Sequence, residues 1–107
     1  MKKLFTLLAL TISFSMNAQM SDNSANNNSA GSNAVAMGDS TIASGTAATA
    51  MGLYTIASGS SSTAMGAFTE ASISYSTAMG RNTTAIATSS TAMGRGTTAS
   101  GEESTAM

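Results

Sequence analysis

From residue 34 onward, small, apolar and polar positions recur in one fixed order with a period of 14. Ala-Met stands at Ala36-Met37, Ala50-Met51, Ala64-Met65, Ala78-Met79, Ala92-Met93 and Ala106-Met107, and the spacing never slips. The units run 34–47, 48–61, 62–75, 76–89 and 90–103, and residues 104–107 begin a sixth. Within a unit, position three is Ala, position four Met and position five Gly. Position eight is always Thr (Thr41, Thr55, Thr69, Thr83, Thr97) and position ten always Ala (Ala43, Ala57, Ala71, Ala85, Ala99). Position twelve is Gly in three units, with Ile73 and Ala87 in the other two. Self-similarity at a fixed period marks one structural unit stacked on copies of itself.

A helical hairpin repeat takes 30 or more residues, so 14 are too few for one. They suffice for two short strands of four or five residues and two turns, which is one coil of an all-β solenoid. Thr at positions two and eight favours extended backbone. Gly at positions five and twelve is expected to turn the corners, because glycine adopts positive φ without steric cost. The density of Gly and Thr opposes a long helix. Along a strand, alternate side chains face opposite sides. In Ser62-Thr63-Ala64-Met65-Gly66, the small residues Ser62, Ala64 and Gly66 share one face, and Thr63 and Met65 the other. So short a coil encloses a narrow interior, so the small face is expected inside, with Ala of position three against Ala of position ten. The methionines, with Val35 and the Thr of position two, then lie outside. Met inside and Ala outside is the alternative packing. In either arrangement the methionines pack, and they form no metal or cofactor site.

Coils stack about 4.8 Å apart, so five make a rod roughly 24 Å tall. Met37, Met51, Met65, Met79, Met93 and Met107 would form a continuous apolar stripe along it. Contiguous apolar surface of this kind marks an association face. A stack without large core residues is marginal alone, and association is a usual remedy. These six methionines are therefore the expected interface between copies of the chain.

The start of the chain has a different pattern. Lys2 and Lys3 precede the apolar run from Leu4 to Phe14, and small and polar residues follow to Gln19. This is the layout of a secretory signal peptide over residues 1–18, cleaved after Ala18, with an apolar run too short to span a bilayer. Residues 19–33 are rich in Asn and Ser without periodicity and read as a flexible lead-in. Its end, Ser32-Asn33-Ala34, already resembles a turn entering the array, and the array itself occupies 34–107.

Composition narrows the chemistry. The 107 residues include no Cys, His, Trp or Pro; 8% are charged, and the 42% hydrophobic share is mostly Ala. After removal of the leader, two arginines face five carboxylates, a net charge of −3. That leaves no electrostatic footprint for nucleic acid, and no disulfide can brace the chain. Ser and Thr abound, but no general base stands beside them, and Glu102-Glu103 read as a solvated corner, so no enzyme and no cofactor are expected. The variable columns hold the remaining candidates for ligand contact. Arg81 and Arg95 share position six of adjacent coils, and Tyr54 and Phe68 share position seven. Tyr75 lies at the opposite corner. Stacked aromatics and arginines are the residue types that dominate binding hot spots. Two solvated arginines and an aromatic ladder that only supports the turns are the plain alternatives. A regular Thr-x-Thr plane, as an ice-binding solenoid would present, is absent.

The array resembles the head repeat of trimeric autotransporter adhesins, the YadA-like left-handed parallel β-roll. That repeat reads Ser-Val-Ala-Ile-Gly, a short turn, then Ala-Ser-Gly and a second turn. Asn33-Ala34-Val35-Ala36-Met37-Gly38 with Ala43-Ser44-Gly45 matches it, as do Met51-Gly52 with Ala57-Ser58-Gly59 and Met93-Gly94 with Ala99-Ser100-Gly101. Met replaces the usual Ile here, and Thr the usual Val. The resemblance implies a homotrimer of left-handed rolls at the bacterial surface that attaches to an extracellular matrix protein or surface glycan. A passive spacer in a surface appendage is the runner-up. Neck, stalk and membrane anchor of that family are absent from these residues, so the chain is expected to be a fragment of a longer protein.

Overall fold

The computed structural model describes Met20–Ser21 and residues 27–107; the expected signal peptide, 1–18, lies outside the described residues. The 14-residue unit is one coil of a parallel β-solenoid. Its long strand covers positions two to six: β2 Val35–Asp39, β4 Thr49–Leu53, β6 Thr63–Ala67, β8 Thr77–Arg81 and β10 Thr91–Arg95, preceded by β1 Met20–Ser21 and followed by β12 Thr105–Ala106. These seven form one sheet in the order β1-β2-β4-β6-β8-β10-β12. The second strand is only two residues long, at positions nine and ten: β3 Ile42–Ala43, β5 Ile56–Ala57, β7 Glu70–Ala71, β9 Thr84–Ala85 and β11 Thr98–Ala99. Those five form the second sheet. All pairs are parallel, and like positions pair, so Met51 faces Met65 and Gly52 faces Gly66 along the ladder. Upstream of Ala34, the ladder continues: the Asn28 N–H donates to the Thr41 carbonyl (2.9 Å) and the Ala43 N–H to the Asn28 carbonyl (2.7 Å).

The corners differ from the expectation that Gly at positions five and twelve turns them. Gly at position five does hold positive φ, from 106° at Gly94 to 125° at Gly38. The left-handed corners themselves fall at positions seven and fourteen, on residues that are mostly not glycine. Ser40, Tyr54, Phe68 and Asn82 have φ of 51–57°, and Ala47, Ser61, Tyr75, Ser89 and Glu103 have φ of 54–61°. Tyr54, Phe68, Asn82, Ala47, Ser61, Tyr75, Ser89 and Glu103 each aim the N–H at the neighbouring coil. Phe68 donates to the Leu53 carbonyl (2.9 Å) and Tyr75 to the Ser60 carbonyl (2.9 Å). A bond between coils thus offsets left-handed strain of about 1–2 kcal/mol per residue. Gly45 and Gly59 at position twelve are not left-handed. They are small because a Cβ would strike a carbonyl oxygen of the adjacent coil, that of Gly59 or of Ile73. Where Ile73 and Ala87 replace Gly, the hydroxyls of Ser76 and Ser90 donate to their carbonyls (2.5 and 2.7 Å).

The interior is made of small side chains. Ala of positions three and ten forms one buried cluster from Ala36 to Ala99. Thr41, Thr55, Thr69 and Thr83 of position eight are also buried, as are Ser62, Ser76 and Ser90 of position one. The inward threonine column was not foreseen from the sequence. The methionines lie on the other side of the long strand: Met51, Met65, Met79 and Met93 are half-buried, while Met37 is 37% and Met107 86% exposed. Alanine, not methionine, fills the roll.

Two outcomes follow from this packing. The Gly66 Cα has φ of 120°, and a Cβ there would overlap the Gly80 carbonyl oxygen. Gly66→Ala is therefore expected to cost at least about 3 kcal/mol in chemical denaturation followed by circular dichroism. Gly96→Asn, at a left-handed position with open space around it, should cost under about 1 kcal/mol, since Asn tolerates that region. The hydroxyls of Thr55, Thr69 and Thr83 have no hydrogen-bond partner, whereas the Thr41 hydroxyl donates to Asn27 Oδ1 at 2.8 Å. An unmade buried bond costs about 1–3 kcal/mol. Thr69→Val should then raise the unfolding midpoint and Thr41→Val lower it; equal shifts of the same sign would contradict this account.

Candidate functional site

The long strands put three columns on one outward face. Position two contributes Val35, Thr49, Thr63, Thr77 and Thr91. Position four contributes the methionines. Position six contributes Asp39, Leu53, Ala67, Arg81 and Arg95. Alternation along an extended strand produces this, because positions one and three turn inward, while Gly at position five lies against the next coil's backbone and is mostly exposed. Pairing is in register throughout, with Met37↔Met51, Met51↔Met65, Met65↔Met79 and Met79↔Met93. The methionine column therefore runs along the middle of a flat face, between a threonine column and a column that passes from acidic through apolar to basic.

The candidate contact residues lie at the margins of this face. Arg81 and Arg95 are ladder partners, and neither is drawn into an ion pair among the described residues. Tyr54 and Phe68 stack with ring centroids 5.3 Å apart and planes 12° from parallel. They remain 53% and 50% exposed. The ladder imposes this arrangement, because residues at one position of adjacent coils are held about 4.8 Å apart, near the separation that offset-stacked rings prefer. Tyr75 is not brought to this pair. It caps the opposite margin, at position fourteen, and is 64% exposed.

On the other side of the Tyr54 corner, the second sheet adds residues that the sequence reading passed over. Ser40, Ile42, Tyr54 and Ile56 line a shallow hollow of about 290 Å³. Ile42 and Ile56 occupy position nine, which holds Glu70, Thr84 and Thr98 in later coils. That drift from Ile to polar residues in one column was the available signal. The Glu70 carboxylate accepts from the Ser72 hydroxyl at 2.5 Å. Among the described residues, no group of three or more His, Cys, Asp or Glu is placed to hold a metal ion. The surface offers apolar area, aromatic faces and fixed charge, which are the means of molecular contact.

The family model described as "YadA head domain repeat (2 copies)" matches residues 29–55, 57–83 and 85–107. Successive matches start 28 residues apart, which is two coils. None of the curated proteins matches the chain, and none of the solved structures does.

The stacked aromatic corner has a measurable energy. A double-mutant cycle on Tyr54→Ala and Phe68→Ala should give a coupling of about 0.5–1.5 kcal/mol in unfolding free energy. Strict additivity would mean that the rings do not stack in solution.

Proposed function

We propose, for a chain that belongs to the family of YadA head domain repeats, that it is the exported, adhesin-type head of a bacterial surface protein and acts as a homotrimer. Residues 1–18 serve as the signal peptide and 19–33 as the lead-in to the head, 34–107. Met37, Met51, Met65, Met79, Met93 and Met107 seal each roll against two others. The observation that carries this is the methionine column itself. It is continuous, in register, and left on the outer surface by an interior already filled with alanine. A contiguous apolar stripe on a soluble protein marks an association face. Met suits such a seam, since its unbranched, polarizable side chain adapts to irregular gaps.

Attachment to an extracellular matrix protein or surface glycan is assigned to the margins, where Tyr54, Phe68, Tyr75, Arg81 and Arg95 are exposed. Aromatic and Arg side chains supply most of the energy at contact sites. The hollow beside Tyr54, with Ile42 and Ile56, adds an apolar pocket at the same corner.

Light scattering at micromolar concentration should return three times the chain mass. Met65→Asp with Met79→Asp should reduce that to one, because six carboxylates would be buried around the axis. A variant that remains trimeric would remove methionine from the interface. On plates coated with matrix protein or glycan, retention of the wild type and its loss in Tyr54→Ala/Phe68→Ala would support attachment; no retention on any coating would leave a head that binds nothing.

A further inference from the structure

The two margins of the methionine face are complementary to each other. Position seven closes one side of the face and position fourteen of the preceding coil the other, seven residues or about 23 Å of extended chain apart. In the third coil these margins carry Phe68 and Tyr75, both at least half exposed. In the fifth coil, Arg95 stands one residue before the first margin and Glu102 and Glu103 at the second, all three exposed. Residues half a coil apart in sequence differ in height by roughly 2.4 Å, half of the spacing between coils. Aromatic thus lies level with aromatic, and cation with anion, but on opposite sides of one chain where they cannot meet.

Cyclic symmetry removes that separation. A threefold interface is heterologous, so the position-fourteen margin of one copy abuts the position-seven margin of the next at the same height. The dimensions agree with this closure. Three faces about 23 Å wide form a triangle whose centre lies about 7 Å from each, within reach of a long Met side chain and near the roughly 5 Å of side chain per face at which sheets pack. Methionine is at the middle residue of each strand, so it points at the axis while the margins meet at the corners.

We infer that the aromatic contact site is composite, with Tyr54 and Phe68 of one copy joined by Tyr75 of the next. Arg95 of the first copy faces Glu103 of the second two coils away. Closure of the ring sets the height at which copies dock; a slip of one coil toward the start of the array would place Tyr75 level with Tyr54 and Glu103 level with Arg81. The three aromatics that one chain keeps apart gather into a single cluster at each corner, so the contact surface exists only in the assembly. This rests on the trimer proposed above.

The chain has no cysteine, which permits a clean cross-linking test on the full chain. Phe68→Cys and Tyr75→Cys are combined in one variant and treated with a bismaleimide too short to cross the face. On a denaturing gel the double variant should run mainly as a closed covalent trimer, while each single variant runs as a monomer. Arg95→Cys with Glu103→Cys should behave the same way, and keeps the test valid if loss of the aromatics weakens assembly. Phe68→Cys with Glu103→Cys, matched in margin but two and a half coils apart in height, should stay uncross-linked. Light scattering on the same samples separates the two levels of inference. Trimers that do not cross-link at either matched pair overturn the composite site and leave the trimer standing. A wild-type chain that scatters as a monomer overturns both. A ladder that stops at dimer or runs past trimer shows a different closure and overturns the corner assignment.

Discussion

Stacking in register is the constraint from which the rest of this structure follows. Each coil hydrogen-bonds to the next so that like positions pair, from Val35↔Thr49 to Ala92↔Ala106. Every side chain is therefore packed against the residue 14 places away, at about 4.8 Å. At that spacing, a position that points inward must be small in every coil, since the interior has no room to alternate large with small. Ala at positions three and ten, Ser at position one and Thr at position eight are four solutions of one steric problem. Gly at position five, on the outside, answers a different constraint of the same stacking, because there a Cβ would fall on the carbonyl of the adjacent coil.

The same constraint explains where the fold tolerates cost. The buried hydroxyls of Thr55, Thr69 and Thr83 lack partners, and a valine of the same shape would not. Left-handed Tyr54, Phe68 and Tyr75 are bulky residues in a region that Gly and Asn occupy with less strain. Neither cost is large beside a ladder in which both halves of each coil bond to both neighbours. A solenoid with no large core residue is held by its backbone, so single side chains can be suboptimal without loss of the fold.

Much of this was legible in the residues. The period gave the coil, the Ala-Met pair gave the two faces, and the narrow interior of so short a coil placed Ala inside. What was not legible depends on backbone geometry that side-chain identity does not report. Phe68, Asn82, Ala47 and Ser61 share no chemistry, so nothing in their identities marked positions seven and fourteen as left-handed corners. Gly45 looked like a corner glycine and proved to be a close-contact glycine, because both roles select the same residue. Thr41 and its column read as strand formers, and burial of the Thr55, Thr69 and Thr83 hydroxyls without partners goes against the usual preference to pair such groups. In the candidate contact site, the Tyr54–Phe68 stack followed directly from the period. Ile42 and Ile56 did not stand out, because they lie in a column that is polar in most coils.

The geometry of the corners bears on whether the aromatics are there to support the turns. If aromatics were there to stabilise the left-handed corners, the corners lacking them should differ in geometry. Ser40 and Asn82 hold φ of 55° and 54° at position seven, against 51° and 57° for Tyr54 and Phe68. At position fourteen, Ala47 and Ser61 have φ of 55° and 54°, against 61° for Tyr75. The corner forms equally well with a hydroxymethyl, an amide or a methyl group. Turn geometry therefore does not demand Tyr or Phe, and solvent does not favour leaving three rings half exposed. Their presence on two margins of one face, in a chain with so few large side chains, is the observation on which the contact role proposed for them rests.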